Sequence, residues 1–189
     1  MQPRQKLGLL GSSQRHSFVG TFQREGFKSY KDNYNDRTIL SPTLVLRNIR
    51  LVDNNLDFVE INKTSPFVAQ HLWINYGKQV AKLGKLHSGD KIYFKARVSK
   101  YTKFFNNRTN VDYQLERPTQ LRKINNGYNG DLPLDDKNAL LGYIIRKNKK
   151  LYFDKKDDKK ENFYTMEYDK WRKNQRELKK AKIYQESLF

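Results

Sequence analysis

The feature that most restricts the fold is a run of strict alternation after Gly89 and Asp90. Ile92, Phe94, Ala96 and Val98 form an unbroken apolar row, while Lys91, Tyr93, Lys95, Arg97 and Ser99 occupy the positions between and around them. Successive side chains of a strand point to opposite faces, so the pattern predicts a strand with one face on a core and the other towards solvent. The same period appears upstream, where Phe18, Gly20 and Phe22 alternate with Val19, Thr21 and Gln23, the glycine marking a bend or a close approach. Residues 38–52 are rich in Leu, Val and Ile but broken near Pro42 and Asn48, which predicts a second, irregular strand. Residues 58–61 and 67–74 read as extended segments, and Val111, Tyr113 and Leu115 as a last strand ending at Pro118.

Two stretches break the alternation. Tyr76, Val80 and Leu83 fall at i, i+4 and i+7, with Gly84 and Gly89 following, which predicts a short helix over about 75–86. Beyond the turn-rich residues 125–130, Pro133 with Asp135 and Asp136 predicts a helix start, and Leu140, Leu141, Ile144 and Ile145 an apolar side. The charge run 147–160 reads as a solvated loop. Tyr164, Tyr168, Trp171 and Leu178 then share one face of a long basic helix, whose 163–182 portion is a candidate contact for a protein partner. The expected division is a disordered lead-in at 1–14, a barrel at 15–126 and a charged, largely helical extension at 127–189.

The order strand, strand, strand, helix, strand, strand over residues 15–124 resembles the OB-fold, a five-stranded Greek-key barrel that binds oligonucleotides. The fold class is therefore mostly β with α: an OB-like barrel, one helix between strands three and four, and a basic helical C-terminal extension. The resemblance implies that the loops joining strands one and two and strands four and five flank the binding face. The first of these carries Arg24, Phe27, Lys28, Tyr30, Lys31, Tyr34 and Arg37; the second carries Lys100, Tyr101, Lys103, Phe104, Phe105 and Arg108. Both interleave cations for phosphates with flat rings for unstacked bases, as single-stranded nucleic acid requires. Phe27 and Tyr101, beside strand ends, have core burial as the competing assignment. Phe104 and Phe105, among polar turn formers, are expected at an exposed tip. Lys91, Tyr93, Lys95 and Arg97 add a basic strand face between the loops, in place of a merely solvated one.

Charge supports the same partner. The chain has 38 Lys and Arg against 20 Asp and Glu, a formal net charge of +18 over 189 residues, which predicts a polyanionic partner. Residues 1–130 hold 22 of the cations and 9 of the acids, so the barrel part carries most of the excess.

Few features favour catalysis. There is no cysteine, which removes disulfides, thiol nucleophiles and thiolate zinc sites and suits a reducing, cytoplasmic setting. The longest apolar stretch, 139–145, is far short of the roughly 20 residues a membrane helix needs. Leu7, Leu9 and Leu10 after Arg4 and Lys6 faintly suggest a signal peptide, but the apolar part is too short. Asn62 and Asn107 stand in glycosylation sequences that carry no implication in the cytoplasm. His16, His71 and His87 have no metal-ligand spacing, and neither a phosphate-binding glycine loop nor a Gly-x-Ser-x-Gly elbow occurs. Asp53, Asp57 and Glu60 near one turn are the sole hint of a metal-dependent nuclease, and acids at a turn usually only solvate it. No catalytic residue, metal or cofactor is assigned. The expected function is non-enzymatic binding of single-stranded DNA or RNA. The alternative is an inhibitor or accessory protein of a phage or mobile element that docks on a nucleic-acid-loaded complex or an acidic protein.

Overall fold

The alternating segment after Asp90 lies second from one edge of a five-stranded antiparallel sheet that curls into a nearly closed barrel. The structure, a computed structural model, describes residues 3–32, 34, 36–59, 65–105, 108–124, 130–148 and 158–187, excluding the side chains of Arg37, Lys103, Phe105, Arg108 and residues 158–162. The strands are β1 (Arg15–Asp32), β2 (Arg37–Val52), β3 (Phe67–Asn75), β4 (Lys91–Phe105) and β5 (Arg108–Lys123), in the spatial order β3-β2-β1-β4-β5. Between β3 and β4 lies α1 (Lys78–Ala81), and the C-terminal region forms α2 (Lys137–Lys147) and α3 (Asp158–Glu186). Predicted strand 58–61 is reduced to one bridge between Phe58 and Val52, with the Val59 N–H donating to the Leu51 carbonyl at 3.1 Å, and residues 60 and 61 lie outside the described residues.

By contacts the chain forms two units. One comprises residues 1–24 and 44–130, the other residues 25–43 and 131–189.

The first unit holds the barrel core. Phe18, Phe22, Leu44, Leu46, Ile92, Phe94, Ala96 and Val98 are buried together, and the rings of Phe18 and Phe94 stack with centroids 5.6 Å apart. Each of these side chains except the single methyl of Ala96 contributes about 1.5–3 kcal/mol by leaving water. Gly20 serves close packing: a Cβ there would lie 2.8 Å from Ile49 and 3.1 Å from Leu46. The irregularity predicted near Asn48 is a left-handed residue, φ 53°. The helix predicted over 75–86 shrinks to four residues because Gly84, at φ 64°, turns the chain away while Leu83 and Leu86 still reach the core.

Residues 3–10, expected within a disordered lead-in, form a 3₁₀ helix, Pro3–Leu10. Leu7 is buried in the barrel core, and Gly8 sits flush against the Tyr113 ring. Arg4 donates to the His71 carbonyl and Gln5 to that of Val111, so this helix bridges the two edge strands and occupies edge carbonyls.

The second unit pairs the outer parts of β1 and β2 with two helices. The Asp136 side chain caps α2, accepting from the backbone N–H groups of Asn138 and Ala139 at 2.9 Å each, as its position before the apolar run predicts. Leu140, Leu141, Ile144 and Ile145 are buried. Gly142 meets the backbone of Tyr164 in α3 so closely that a Cβ would overlap its carbonyl. Tyr143 packs edge-on to Tyr168, which stacks on Trp171, and Arg146 grips Asp169 through both nitrogens at 2.7 and 2.6 Å. The predicted 163–182 helix is the middle of α3, while the loop expected from 147 lies largely outside the described residues, with 158–160 already helical.

Candidate nucleic-acid interface

The residues predicted to flank one binding face fall in different units and on strands. Arg24 belongs to the first unit, whereas Phe27, Lys28, Tyr30, Lys31, Tyr34 and Arg37 belong to the second. Among them only Tyr34 lies at the turn itself; the others belong to β1 or β2. Lys100, Tyr101, Lys103, Phe104, Phe105 and Arg108 continue β4 and β5 as a two-stranded ribbon in which Phe105 pairs with Arg108. Most of the residues expected in loops instead extend the strands, because a ribbon satisfies its backbone groups internally, whatever its side chains face.

Within these segments the environments differ. Tyr30 is half exposed and Tyr34 wholly so, Lys28 is exposed, Phe27 is partly buried, and Lys31 pairs loosely with Asp36 at 3.4 Å. Lys100 is exposed, and Phe104 is 74% exposed at the far end of its ribbon. Tyr101 is pinned: its hydroxyl donates to Asp112 at 3.0 Å and accepts from Arg4 at 3.3 Å. The side chains of Arg37, Lys103, Phe105 and Arg108 lie outside the described set.

The outer face of β1, β4 and β5 is built by register. Val19 lies opposite Tyr93 and Arg122 beyond it; Ser17 is opposite Lys95 and then Thr119; Arg15 is opposite Arg97 and then Glu116. Lys91 extends the row, donating to Thr21 at 2.7 Å. Thus Arg15, Lys91, Lys95, Arg97 and Arg122 share a rigid surface with the acid Glu116. Cations held on one sheet reinforce each other's potential while remaining close to solvent. Tyr93 needs a correction. It is only 5% exposed, its hydroxyl lies 3.0 Å from that of Ser17, and the Arg122 guanidinium covers its ring at 4.6 Å. Tyr93 is therefore a support for Arg122 and no stacking platform.

Four contributors lie outside the sequence reading: Arg15, Arg50, Phe58 and Arg122. Arg122 joins the face because β5 carries two register shifts against Tyr93, Lys95 and Arg97, with Arg117 and Gln120 left-handed at φ 48° and 54°. Arg50 lies over the Phe58 ring at 5.2 Å, and Phe58 is 59% exposed. Both line a concavity of about 380 Å³ with Val19, Thr21, Asn48 and Lys91, which extends the cationic face towards β2. An arginine one residue before an apolar strand end was the available signal for Arg50.

Asp53, one of the carboxylates considered for hydrolysis, caps its own turn by accepting from the N–H groups of Asn55 and Asp57 at 2.8 and 2.9 Å. Glu60 lies outside the described residues. Among the described residues no cluster of three metal-ligating side chains occurs, and no helix is long and apolar enough to cross a membrane. No protein-family model, curated protein or solved structure matches this chain.

Proposed function

We propose that this chain is a non-enzymatic nucleic-acid-binding protein of the OB-like kind that holds single strands against the outer face of its barrel. The observation that carries the reading is the shared register of Arg15, Lys91, Lys95, Arg97 and Arg122 on one sheet, extended by Arg50 and the exposed Phe58. Backbone phosphates run along the cations, and unstacked bases lie on exposed rings, Phe58 on the face and Phe104 on the ribbon. A single strand fits better than a duplex because exposed aromatic faces gain energy only from bases already out of a stack.

Fluorescence polarisation with labelled single-stranded DNA, duplex DNA and RNA at several salt concentrations tests the reading. The expected result is tighter binding of the single strands with affinity falling steeply as salt rises. Equal affinity for the duplex removes the single-strand preference. Failure to bind any of the three, or affinity indifferent to salt, overturns the function.

A second reading is favoured by α3. Leu178, Ile183 and Tyr184 are well exposed among Lys179, Lys180 and Lys182, an apolar and basic surface suited to an acidic protein or a nucleoprotein complex. Under this reading the chain is an accessory factor or inhibitor, and binding to nucleic acid alone is weak.

A further inference from the structure

The barrel is not closed by hydrogen bonds between β3 and β5, and the 3₁₀ helix covers only part of the seam. Where it leaves off, a groove of about 590 Å³ opens, lined by Trp73, Lys78, Gln114, Glu116, Arg117 and Pro118 among others. That volume is typical of a small-ligand site. All of these residues belong to the barrel unit.

Two features set this groove apart from a simple packing defect. On the β5 side, Pro118 has no N–H to offer, and left-handed Arg117 and Gln120 accompany two register shifts. Arg15 donates to the Arg117 carbonyl and holds one of these strained residues in place. Non-glycine residues in this conformation are costly and collect where a site must be shaped, as do bulges. On the β3 side, Trp73 is 51% exposed. The Arg24 guanidinium lies 5.1 Å from its ring centre, and Trp73 lines the groove whereas Arg24 does not, so the cation and the groove contact different parts of the indole.

We infer that this groove receives a single unstacked nucleobase, guanine in preference to the others. The inference rests on the single-strand reading above and deepens it. A flat ring already backed by a guanidinium offers its free face to a base, giving an Arg–Trp–base stack. Opposite it, Gln114 donates to Glu116 at 2.8 Å, which orients the carboxylate and turns the amide oxygen to serve as a further acceptor. The polar edge is thus rich in acceptors. Guanine alone among the common bases carries two adjacent donors, N1–H and the N2 amino group, on its Watson–Crick edge, and a carboxylate matches that pair. Lys78 and Arg117 at the groove provide for the attached phosphate.

Trp171→Phe leaves Trp73 as the sole tryptophan, so indole emission reports the groove directly. In this background, a labelled ten-residue oligothymidylate, the same oligomer with one central guanine, and free guanosine monophosphate are titrated while emission and polarisation are read together. The expected result is quenching of Trp73 and at least about tenfold tighter binding of the guanine-containing strand. Glu116→Gln brings that ratio close to one, with oligothymidylate bound as tightly or more so because an acid leaves the cationic face, and Trp73→Leu abolishes it while oligothymidylate still binds through that face. If both strands bind by polarisation without quenching and Glu116→Gln changes nothing, the inference is overturned and the nucleic-acid function stands. If guanosine monophosphate quenches but neither strand binds, the groove keeps its base and the single-strand function falls. If nothing binds, both fall, and an extended peptide joining the β3 or β5 edge becomes the occupant to test.

Discussion

The two hairpin arms of this protein have nearly the same composition and opposite fates. The arm at 25–43 carries Phe27, Lys28, Tyr30 and Lys31, and the arm that continues β4 and β5 carries Lys100, Tyr101, Lys103 and Phe104. The first is built into a unit with α2 and α3, and the second stays with the barrel and ends in an exposed Phe104. The difference lies at their bases. Glu25 is wholly buried, hydrogen-bonded by Lys147 at 3.2 Å through Oε1, with the ammonium also 3.0 Å from Oε2 and the Tyr143 hydroxyl 3.4 Å from Oε1. A buried carboxylate needs such partners, and these come from α2. The second arm rests on Tyr113 against Gly8 and on Tyr101, whose hydroxyl is held by the partly exposed Asp112 and Arg4. A basic aromatic pattern therefore says little about whether a ribbon is recruited into a core. What marks the first arm is a buried carboxylate at its root whose partners come from α2.

Gly142→Ala attacks the first arm's unit most directly. The added methyl would overlap the Tyr164 carbonyl and lie 2.9 Å from the Tyr168 Cβ, and backbone cannot step aside as a flexible side chain can. The expected loss is about 3 kcal/mol, the upper end of ordinary overpacking, read as a lower urea midpoint. Lys147→Met should cost slightly less, about 2–3 kcal/mol, because the ammonium is one-third exposed while Glu25 is left buried without its counter-charge. Adding Glu25→Leu to Lys147→Met should recover most of that loss. A double variant no more stable than the single one shows that the ion pair does not hold this arm.

The second arm is expected to answer through binding. Phe104→Ala should shift the unfolding midpoint by less than about 0.5 kcal/mol and weaken single-strand binding by about 1–3 kcal/mol, the worth of one stacked base. A large loss of stability would make Phe104 a packing residue, contrary to its 74% exposure. Lys95→Ala with Arg97→Ala, nearer the arm's base, should weaken all sequences alike. If each cation meets one phosphate, the slope of log affinity against log salt falls by about 1.4 for single strands. An unchanged slope places the phosphate path elsewhere.

Legibility from sequence followed how local each feature is. The β4 row of Ile92, Phe94, Ala96 and Val98 needs only its own alternation, and Asp136 announces α2 by standing just before an apolar run. In the arms the sequence suggests loops, because a ribbon with polar residues on both faces lacks an apolar row, although β1 runs through Lys31 and β4 through Phe105. Alternation alone places Tyr93 on the basic face with Lys91, Lys95 and Arg97; its burial comes from Val19, Val52 and Leu56, and from Arg122, which reaches its ring only after β5 has shifted register twice. Neither shift is marked by glycine: Arg117 and Gln120 adopt the left-handed conformation with ordinary side chains. Leu7, too, gave no periodic signal, since one buried side chain in eight residues forms no stripe.

The smallest expected effect tests those unannounced bulges, which lie below the base of the second arm. Gln120 is exposed and holds φ 54°, where a Cβ crowds the adjoining carbonyl; glycine removes that clash but adds freedom to the unfolded chain. The strain is about 1–2 kcal/mol per residue and the entropic penalty about 0.5–1 kcal/mol, so relief wins by a narrow margin. Gln120→Gly should therefore stabilise the barrel by about 0.5 kcal/mol without altering nucleic-acid affinity, since Lys95 stays opposite Thr119 and Tyr93 opposite Arg122. The same change at Gln114, whose φ is not positive, should lose about as much instead. Destabilisation at both positions would mean that β5 runs without the second bulge, which would turn Arg122 away from Tyr93 and dismantle one end of the cationic face.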